Sequence, residues 1–319
     1  MSITGSTAAP VIGIVRNDLS SADLRDCPLM TSPVKLLCNA MPSFISAAAL
    51  TPYDIIQRTG ELKGAITVIN HDASQGILRF ILRSSESIAR IRKILPLIQA
   101  SHPWVQVISC NIQPLPAATL EGPEEVILTS CTDIRETYGE THVIFSPQSF
   151  IQVTHEVACE LYRTAAEYAR CKGFSRALDL FCGVGGFSFS IAPFVKEVIG
   201  VELSADAIRS AASAASVNVG PRPTFYSADV ESFLSSEKLG EIDLVIANPP
   251  RRGLSKGIIA KLQQLQPQSI LYSSCNPETF VRDVQLLTAD TTYQLTTVKA
   301  FDMFPLTHHW EVLGAIERR

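Results

Sequence analysis

The sequence is poor in paired cysteines and in long apolar runs. Its eight cysteines stand singly, at positions 27, 38, 110, 131, 159, 171, 182 and 275, and none forms a Cys-x-x-Cys pair. This spread disfavours a disulfide framework or a zinc site and is typical of reduced thiols in the cytosol. No stretch approaches the roughly 18 apolar residues of a membrane span, and the first residues lack the pattern of a signal peptide. We therefore expect a cytoplasmic protein without a membrane anchor.

The sequence also lacks an excess of positive charge. Its formal net charge is −4 and its pI is about 5.9, whereas nucleic-acid-binding domains are usually basic. One local cluster, in the segment 79–93, contains Arg79, Arg83, Arg90, Arg92 and Lys93. Two interpretations of this cluster stay open: a solvated helix face, which the segment alone favours, or a contact with RNA.

The length of 319 residues suggests two domains. Residues 1–140 mix strand-like runs with two helical stretches, near 33–49 and 86–100, so we expect a smaller α+β domain that contributes to binding of the substrate. Residues 141–319 begin with a helical pattern at about 154–171, after which the pattern of apolar residues changes. We expect this second part to be the catalytic domain.

In the second part, apolar runs alternate with segments of helix length. The runs "ALDLF", "VIGVEL", "TFYSA", "IDLVIAN" and "SILYSS" predict a parallel sheet that is covered by helices on both faces. Two last runs, "YQLTTVKAF" and "WEVLGAIE", lie too close together for a helical crossover and predict an antiparallel pair at the sheet edge. The class is therefore α/β, with a doubly wound seven-stranded sheet like that of class I methyltransferases.

A glycine-rich loop follows the first of these strands. Gly183, Gly185 and Gly186 in "DLFCGVGGF" allow a close approach of the backbone to a ligand at the start of a helix. Glu202 ends the next strand, where a carboxylate can accept hydrogen bonds from ribose hydroxyls. A dinucleotide-binding loop would have a third glycine at the position of Ser188. Its absence, and an aspartate at 179, favour S-adenosylmethionine over NAD.

The fourth parallel strand ends in "NPPRRG". Two prolines stiffen the exit from the sheet and fix Asn248 beside the predicted cofactor. Amino-group methyltransferases have a similar Asn-Pro-Pro followed by an aromatic residue, but here Arg251 follows and offers a fork for a phosphate or a base. A plain proline turn with solvated arginines is the alternative interpretation.

The fifth strand ends at Cys275 in "YSSCNPETF". Asn276 is a good N-cap and Pro277 suits the first helical position, so the thiol precedes a helix N-terminus, which we expect to lower its pKa. Addition of a thiolate to C6 of uracil makes C5 nucleophilic, and a base must then remove the C5 proton. Glu311, at the start of the last strand, is the candidate base.

These motifs together resemble the uracil-5 RNA methyltransferase family, and the match is nearest to its branch acting on 23S ribosomal RNA. The resemblance runs through "DLFCGVGGF", "NPPRRG", "YSSCN" and "FDMFPLTHHWE" and extends to "LTPYDI", "RFILRS" and "SPQSFIQV" in the remainder of the chain. It implies that Cys275 is the nucleophile and Glu311 the base. It also implies contacts with S-adenosylmethionine from Gln152, Phe181, Glu202 and Asn248, in addition to Gly183 and Gly185.

The resemblance has one departure, at the family's iron–sulfur cluster. Cys27 in "DCP" matches one of four cysteine ligands, and the three others have no counterpart upstream. A single thiolate cannot hold such a cluster, so we expect no metal. Relative to the family, we expect the first domain to be short at its N-terminus, either by loss or by a misplaced start.

Three functions remain open from the sequence. The leading one is an enzyme, expected to be a monomer, that methylates C5 of a uridine in 23S ribosomal RNA. The alternatives are a non-enzymatic RNA-binding relic and a methyltransferase that acts on a uridine in tRNA.

Overall fold

A computed structural model describes residues 1–16, 18–116, 121–236 and 239–319. The chain divides into two compact units, Met1–Ile134 and Arg135–Arg319. Position 140, where the sequence places the domain boundary, lies in the turn of a hairpin at the start of the second unit. Part of the expected turn-rich loop, residues 117–120, lies outside the described residues.

The first unit has an α+β fold built on a mixed sheet. In its described residues the sheet has seven strands in the order β3-β2-β1-β4-β5-β6-β7, in which β5 and β6 are parallel and the other pairs are antiparallel. The strands are β1 (Ser2–Gly5), β2 (Pro10–Val15), β3 (Ser21–Asp23), β4 (Leu62–Ile69), β5 (Gly76–Leu82), β6 (Val105–Ile112) and β7 (Glu124–Ile127). The helices are α1 (Ser32–Ala47) and α2 (Ile88–Ser101).

The two helices lie close to their predicted positions because each has one apolar face. Leu37, Met41 and Phe44 of α1 and Ile91 and Ile98 of α2 are buried in one cluster with the sheet. Every residue of β5 is buried, and apart from Gly76 and Arg79 the strand is apolar.

The second unit is a doubly wound α/β fold. It begins with a hairpin of β8 (Ile134–Tyr138) and β9 (Thr141–Phe145) and the helix α3 (His155–Lys172). There follow β10 (Arg176–Leu180), α4 (Gly186–Ile191), β11 (Glu197–Glu202), α5 (Ala205–Ala214), β12 (Thr224–Ser227), α6 (Val230–Ser236), β13 (Leu244–Ala247), α7 (Lys256–Leu265), β14 (Ser269–Ser274), α8 (Pro277–Leu287), β15 (Tyr293–Phe301) and β16 (Glu311–Arg318).

The seven strands of the main sheet confirm the predicted fold class. Their order is β12-β11-β10-β13-β14-β16-β15, with β10 to β14 parallel and β16 antiparallel to both of its neighbours. The last strand thus inserts between β14 and β15, and β15 forms the edge. Because β16 runs against β14, its first residues lie at the carboxyl ends of the parallel strands, with Val312 opposite Ser274.

In the parts of the chain that the structure describes, none of the helices has the length and apolar character that a membrane crossing requires.

Candidate active site

The glycine loop leaves β10 with a strained backbone. Phe181, Gly183 and Gly185 all have positive φ angles, of 61°, 54° and 89°, and Gly185 N–H donates to the Cys182 carbonyl at 2.8 Å. A Cβ atom at Gly183 would meet no atom within 4 Å, whereas one at Gly185 would approach Phe189 to 2.8 Å. The loop is therefore tightly packed at Gly185 and open at Gly183. The open side allows the close approach of a ligand to the backbone.

Glu202 ends β11 and lies beside this loop. Its Oε2 accepts a hydrogen bond from Gly183 N–H at 3.3 Å, and its Oε1 accepts one from Ser204 N–H at 2.9 Å. The side chain is half-buried. The structure thus brings together the glycine loop and the carboxylate that the sequence pairs as a cofactor site.

Asp179 supplies a test of whether the loop suits a cationic ligand. The residue is fully buried, its Oδ2 accepts a hydrogen bond from Ser188 at 2.6 Å, and its Oδ1 has no hydrogen-bond partner. Burial raises the pKa of this carboxyl to about 7. An unsatisfied buried carboxylate oxygen suits a positively charged group, and S-adenosylmethionine carries an ammonium and a sulfonium. The residues present fit that cofactor.

The turn after β13 is held by a buried carboxylate on α8. Asp283 accepts hydrogen bonds from Leu254 N–H at 2.8 Å and from the Tyr272 hydroxyl at 2.6 Å. Gly253 has a φ of 75°, and a Cβ there would lie 2.3 Å from Asp283 Oδ2. The turn thereby fixes Arg251, whose guanidinium contacts the His309 ring at 2.9 Å.

Cys275 lies between β14 and α8 and is half-buried. Asn276 caps the helix as predicted, because its side chain accepts a hydrogen bond from Glu278 N–H at 3.0 Å. The predicted lowering of the thiol pKa is wrong. Burial and the nearby Glu311 carboxylate raise the pKa of Cys275, and Arg251 only partly offsets them. Desolvation disfavours the thiolate more than the local cation favours it.

Glu311 begins β16 and is only 2% exposed. Its Oε1 accepts hydrogen bonds from the Ser273 hydroxyl and from Asn248 Nδ2, the latter at 3.1 Å. Burial raises the pKa of this carboxyl, and the two donors oppose that rise. The Asn248 amide also donates to the Ser273 carbonyl at 3.3 Å. Three strands, β13, β14 and β16, thus contribute to one hydrogen-bonded group beside Cys275.

Sequence reasoning missed two members of this site. Ser273 is fully buried and Asp283 has no exposed surface. A single serine within an apolar strand does not by itself indicate a functional site. Its position two residues before Cys275 in "YSSCN" is the one feature of the sequence that could have indicated it. Asp283 could have been suspected only as a charge on the apolar face of α8.

Gln152 and Phe181 are the two other residues predicted to contact the cofactor. Gln152 is 7% exposed in the segment before α3, and Phe181 is half-buried at the start of the glycine loop. Their contacts with a cofactor stay predictions.

The interpretation of the whole basic cluster 79–93 as a contact with RNA needs a correction. Arg79 is 3% exposed and is neutralised by Glu121 and Glu125, at 2.8 and 2.7 Å. Arg83 likewise pairs with Glu61 at 2.9 Å. Arg79 cannot contact RNA, because β5 buries it. Arg92 and Lys93 on α2 are exposed.

Within the described residues, no group of three or more His, Cys, Asp or Glu side chains is arranged to hold a metal ion. Cys27, the one match to the family's iron–sulfur ligands, is half-buried. The residues present do not fit such a cluster.

Comparisons with known proteins point to RNA methyltransferases. The family described as tRNA (Uracil-5-)-methyltransferase matches residues 234–319, and the RNA cap guanine-N2 methyltransferase family matches residues 174–266. Proteins named 23S rRNA (uracil(747)-C(5))-methyltransferase RlmC are similar over the whole chain. That of Serratia proteamaculans is 38% identical over 100% of this chain and 84% of its own length, and that of Xenorhabdus nematophila is 37% identical over 99% and 83%.

A solved structure confirms the architecture. Pyrococcus abyssi tRNA (uracil-54, C5)-methyltransferase, in complex with S-adenosyl-L-homocysteine, has a TM-score of 0.80 and covers 99% of this chain and 74% of its own. At 22% identity this likeness concerns the fold.

Fold and site together define a class I S-adenosylmethionine-dependent methyltransferase. Given the full-length similarity to its curated members, the chain belongs to the RNA (uracil-C5)-methyltransferase family.

Proposed function

We propose that this protein transfers a methyl group from S-adenosylmethionine to C5 of a uridine in RNA, through a covalent bond between Cys275 and C6 of the base. One observation carries the proposal: a thiol, Cys275, lies next to a buried and hydrogen-bonded carboxylate, Glu311, at the same sheet edge as the glycine loop. Uracil-C5 methylation needs these three elements together, because the carbon must be activated, methylated and then deprotonated.

The cofactor site consists of the glycine loop with Gly183 and Gly185, the Glu202 carboxylate and the unpaired oxygen of Asp179. When bound there, S-adenosylmethionine supplies an electrophilic methyl group. Glu202 suits the ribose hydroxyls, because it ends β11 and its Oε2 lies within hydrogen-bond distance of Gly183 N–H in the loop. Gln152, Phe181 and Asn248 are proposed to complete the contacts.

The chemistry divides between two side chains. The Cys275 sulfur adds to C6, and the electrons of the C5=C6 bond move towards O4, which makes C5 nucleophilic. After C5 has taken the methyl group, Glu311 removes the C5 proton, the double bond forms again and the thiolate leaves. The raised pKa of Glu311 makes this carboxylate a stronger base than an exposed one.

The target RNA follows from the named relatives. The curated proteins that are similar over the full chain act on 23S rRNA by their names, and we infer the same class of RNA here. Arg251, at the rim of the site, is suited to a phosphate or a base edge. We further infer that the protein works as a monomer in the cytoplasm.

The covalent step is tested with RNA that contains 5-fluorouridine. Fluorine at C5 cannot be removed as a proton, so the adduct should persist. Incubation of the protein with S-adenosylmethionine and a fluorinated 23S rRNA fragment should give a protein–RNA complex that survives denaturing electrophoresis. Cys275→Ala should abolish it, since Cys275 is the thiol that lies near Glu311.

Cys171→Ala is the matched control, because Cys171 is an exposed thiol on α3. It should trap RNA as the wild type does. If Cys275→Ala traps RNA equally well, another group is the nucleophile. Methylation of tRNA transcripts but not of the 23S rRNA fragment would contradict the proposed substrate and leave the chemistry intact.

A further inference from the structure

Ser273 has no role in the mechanism above, yet its hydroxyl is in direct contact with the proposed base. The residue lies on β14 between Tyr272 and Ser274 and has no exposed surface. Its Oγ donates to Oε1 of Glu311. A buried hydroxyl needs a hydrogen-bond partner, but the backbone carbonyls near a strand usually supply one. Here the partner is the carboxylate of another strand, β16.

Both hydrogen bonds to Glu311 converge on the same oxygen. Asn248 Nδ2 donates to Oε1 at 3.1 Å and also to the Ser273 carbonyl at 3.3 Å. Among the contacts of the described residues, Oε2 of Glu311 receives no hydrogen bond. A carboxylate that is held through one oxygen has its plane and its second oxygen fixed as well, because the group is rigid.

We propose that Ser273 is a positioning residue for the removal of the C5 proton. Its hydroxyl fixes Oε1 of Glu311 and so leaves Oε2 as the oxygen that takes the proton. This inference rests on the proposed function and specifies which step the serine serves.

The step has a clear balance. The C5–H bond breaks and its proton moves to Oε2, the electrons of that bond form the C5=C6 double bond, and the bond from C6 to Sγ of Cys275 breaks to return the thiolate. Formation of the adduct and methylation come before this step. Loss of the Ser273 hydroxyl should therefore leave those two events possible and make the methylated adduct accumulate.

A pH effect accompanies the loss. Donation from Ser273 and Asn248 lowers the pKa of Glu311 against the effect of burial. The titratable groups that face it are Cys275 at the end of β14 and Tyr162 on α3. Removing the serine hydroxyl raises the pKa of Glu311, so the acid limb of the rate profile should move to higher pH.

The test uses full-length protein, S-adenosylmethionine with a radioactive methyl group, and a 23S rRNA fragment that the wild type methylates. Ser273→Ala should reduce turnover by about 10- to 100-fold, the scale on which misplacement of a catalytic group acts. At the same time, the fraction of protein in a labelled covalent complex with RNA should rise. Ser269→Ala is the matched control, because Ser269 is a buried serine on the same strand that accepts a hydrogen bond from Tyr168 at 3.0 Å.

A second pair of variants separates the effect of the hydroxyl from an effect on folding. Ser273→Thr and Ser273→Val have the same shape and differ in the hydroxyl, so elimination should be faster in the threonine variant. Equal rates in this pair, or slow turnover of Ser273→Ala without labelled adduct, would overturn the role of Ser273. Absence of methylation by the wild type on any RNA would instead overturn the proposed function, and the role of Ser273 with it.

Discussion

Asp179 is a carboxylate with no exposed surface and one oxygen without a hydrogen-bond partner. Hydrogen bonding by Ser188 stabilises its charged form, but the loss of water around the group outweighs this effect, and the pKa of Asp179 rises to about 7. An enzyme that binds a sulfonium and an ammonium gains from such a charge, because ligand binding then satisfies an oxygen that folding leaves unsatisfied.

The stability of the protein should depend on pH through Asp179. Its folded pKa of about 7 lies above the ordinary value of 3.8, so the stabilising contribution is complete below about pH 4 and is lost as the pH rises to about 7. Asp179→Asn should therefore raise the free energy of unfolding at pH 8 by up to roughly 4 kcal/mol relative to the wild type. The gain should shrink towards zero at pH 4, as measured by denaturant unfolding.

Asp302→Asn, a change at an exposed carboxylate of the loop before β16, is the control and should show no such trend. A difference between Asp179→Asn and the wild type that is the same at both pH values would mean that folding does not raise the pKa of Asp179.

The turn between β13 and α7 shows how one element positions the residues of another. Asp283 on α8 binds the turn backbone at Leu254, and Arg282 donates to the Arg252 carbonyl at 2.9 Å. Cys275 lies two residues before α8, so the turn and the segment that carries the thiol are both anchored to this helix. At Gly253 a side chain would collide with Asp283 and Arg282.

Gly253→Ala should therefore lower the free energy of unfolding by more than backbone strain alone would. A left-handed conformation costs an alanine about 1–2 kcal/mol, and the new Cβ would also meet Asp283 Oδ2 at 2.3 Å. We expect a total loss of about 2–4 kcal/mol in unfolding free energy and a lower rate of methylation.

Gly139→Ala separates the two effects, because Gly139 has a φ of 63° but a Cβ there would have no atom within 4 Å. This variant should lose about 1–2 kcal/mol and keep its activity. Equal losses for the two variants would show that the contact with Asp283 relaxes without cost.

For the whole molecule, the charge distribution decides how RNA can bind. The net charge is −4, so attraction to phosphates must come from local cations. Arg79 is removed from that set by its buried ion pairs, and Arg90 is held by the Ala49 carbonyl at 2.7 Å. Arg92 and Lys93 are the exposed cations of the cluster on α2.

We predict that Arg92→Ala combined with Lys93→Ala weakens RNA binding and flattens its dependence on salt. Each lost phosphate contact should reduce the slope of log K against log salt by about 0.7–0.9. The measurement is the affinity for a 23S rRNA fragment at several salt concentrations. Arg163→Ala is the control, since Arg163 is exposed on α3 but paired with Glu160 and Glu167. An unchanged slope in the double variant would identify the α2 cations as an ordinary solvated face.

The sequence by itself determined the fold of the second unit and most of its site. Strands such as β10, β13 and β14 are largely apolar runs with helices between them, and local composition is enough to predict them. Glu202, Asn248 and Cys275 each directly follow or end such a run, so their meeting at one edge follows from the parallel sheet. The short strands β1, β3 and β7 were not predicted, because three or four residues carry too little periodicity.

Only the tertiary structure decided the electrostatics. Arg79 is buried because Glu121 and Glu125, more than 40 residues away, neutralise it. The pKa of Cys275 is raised because burial and the Glu311 carboxylate outweigh the nearby Arg251. The role of Ser273 likewise depends on β16 inserting beside β14. Desolvation and charge pairing depend on distances between residues far apart in sequence, which no local pattern encodes.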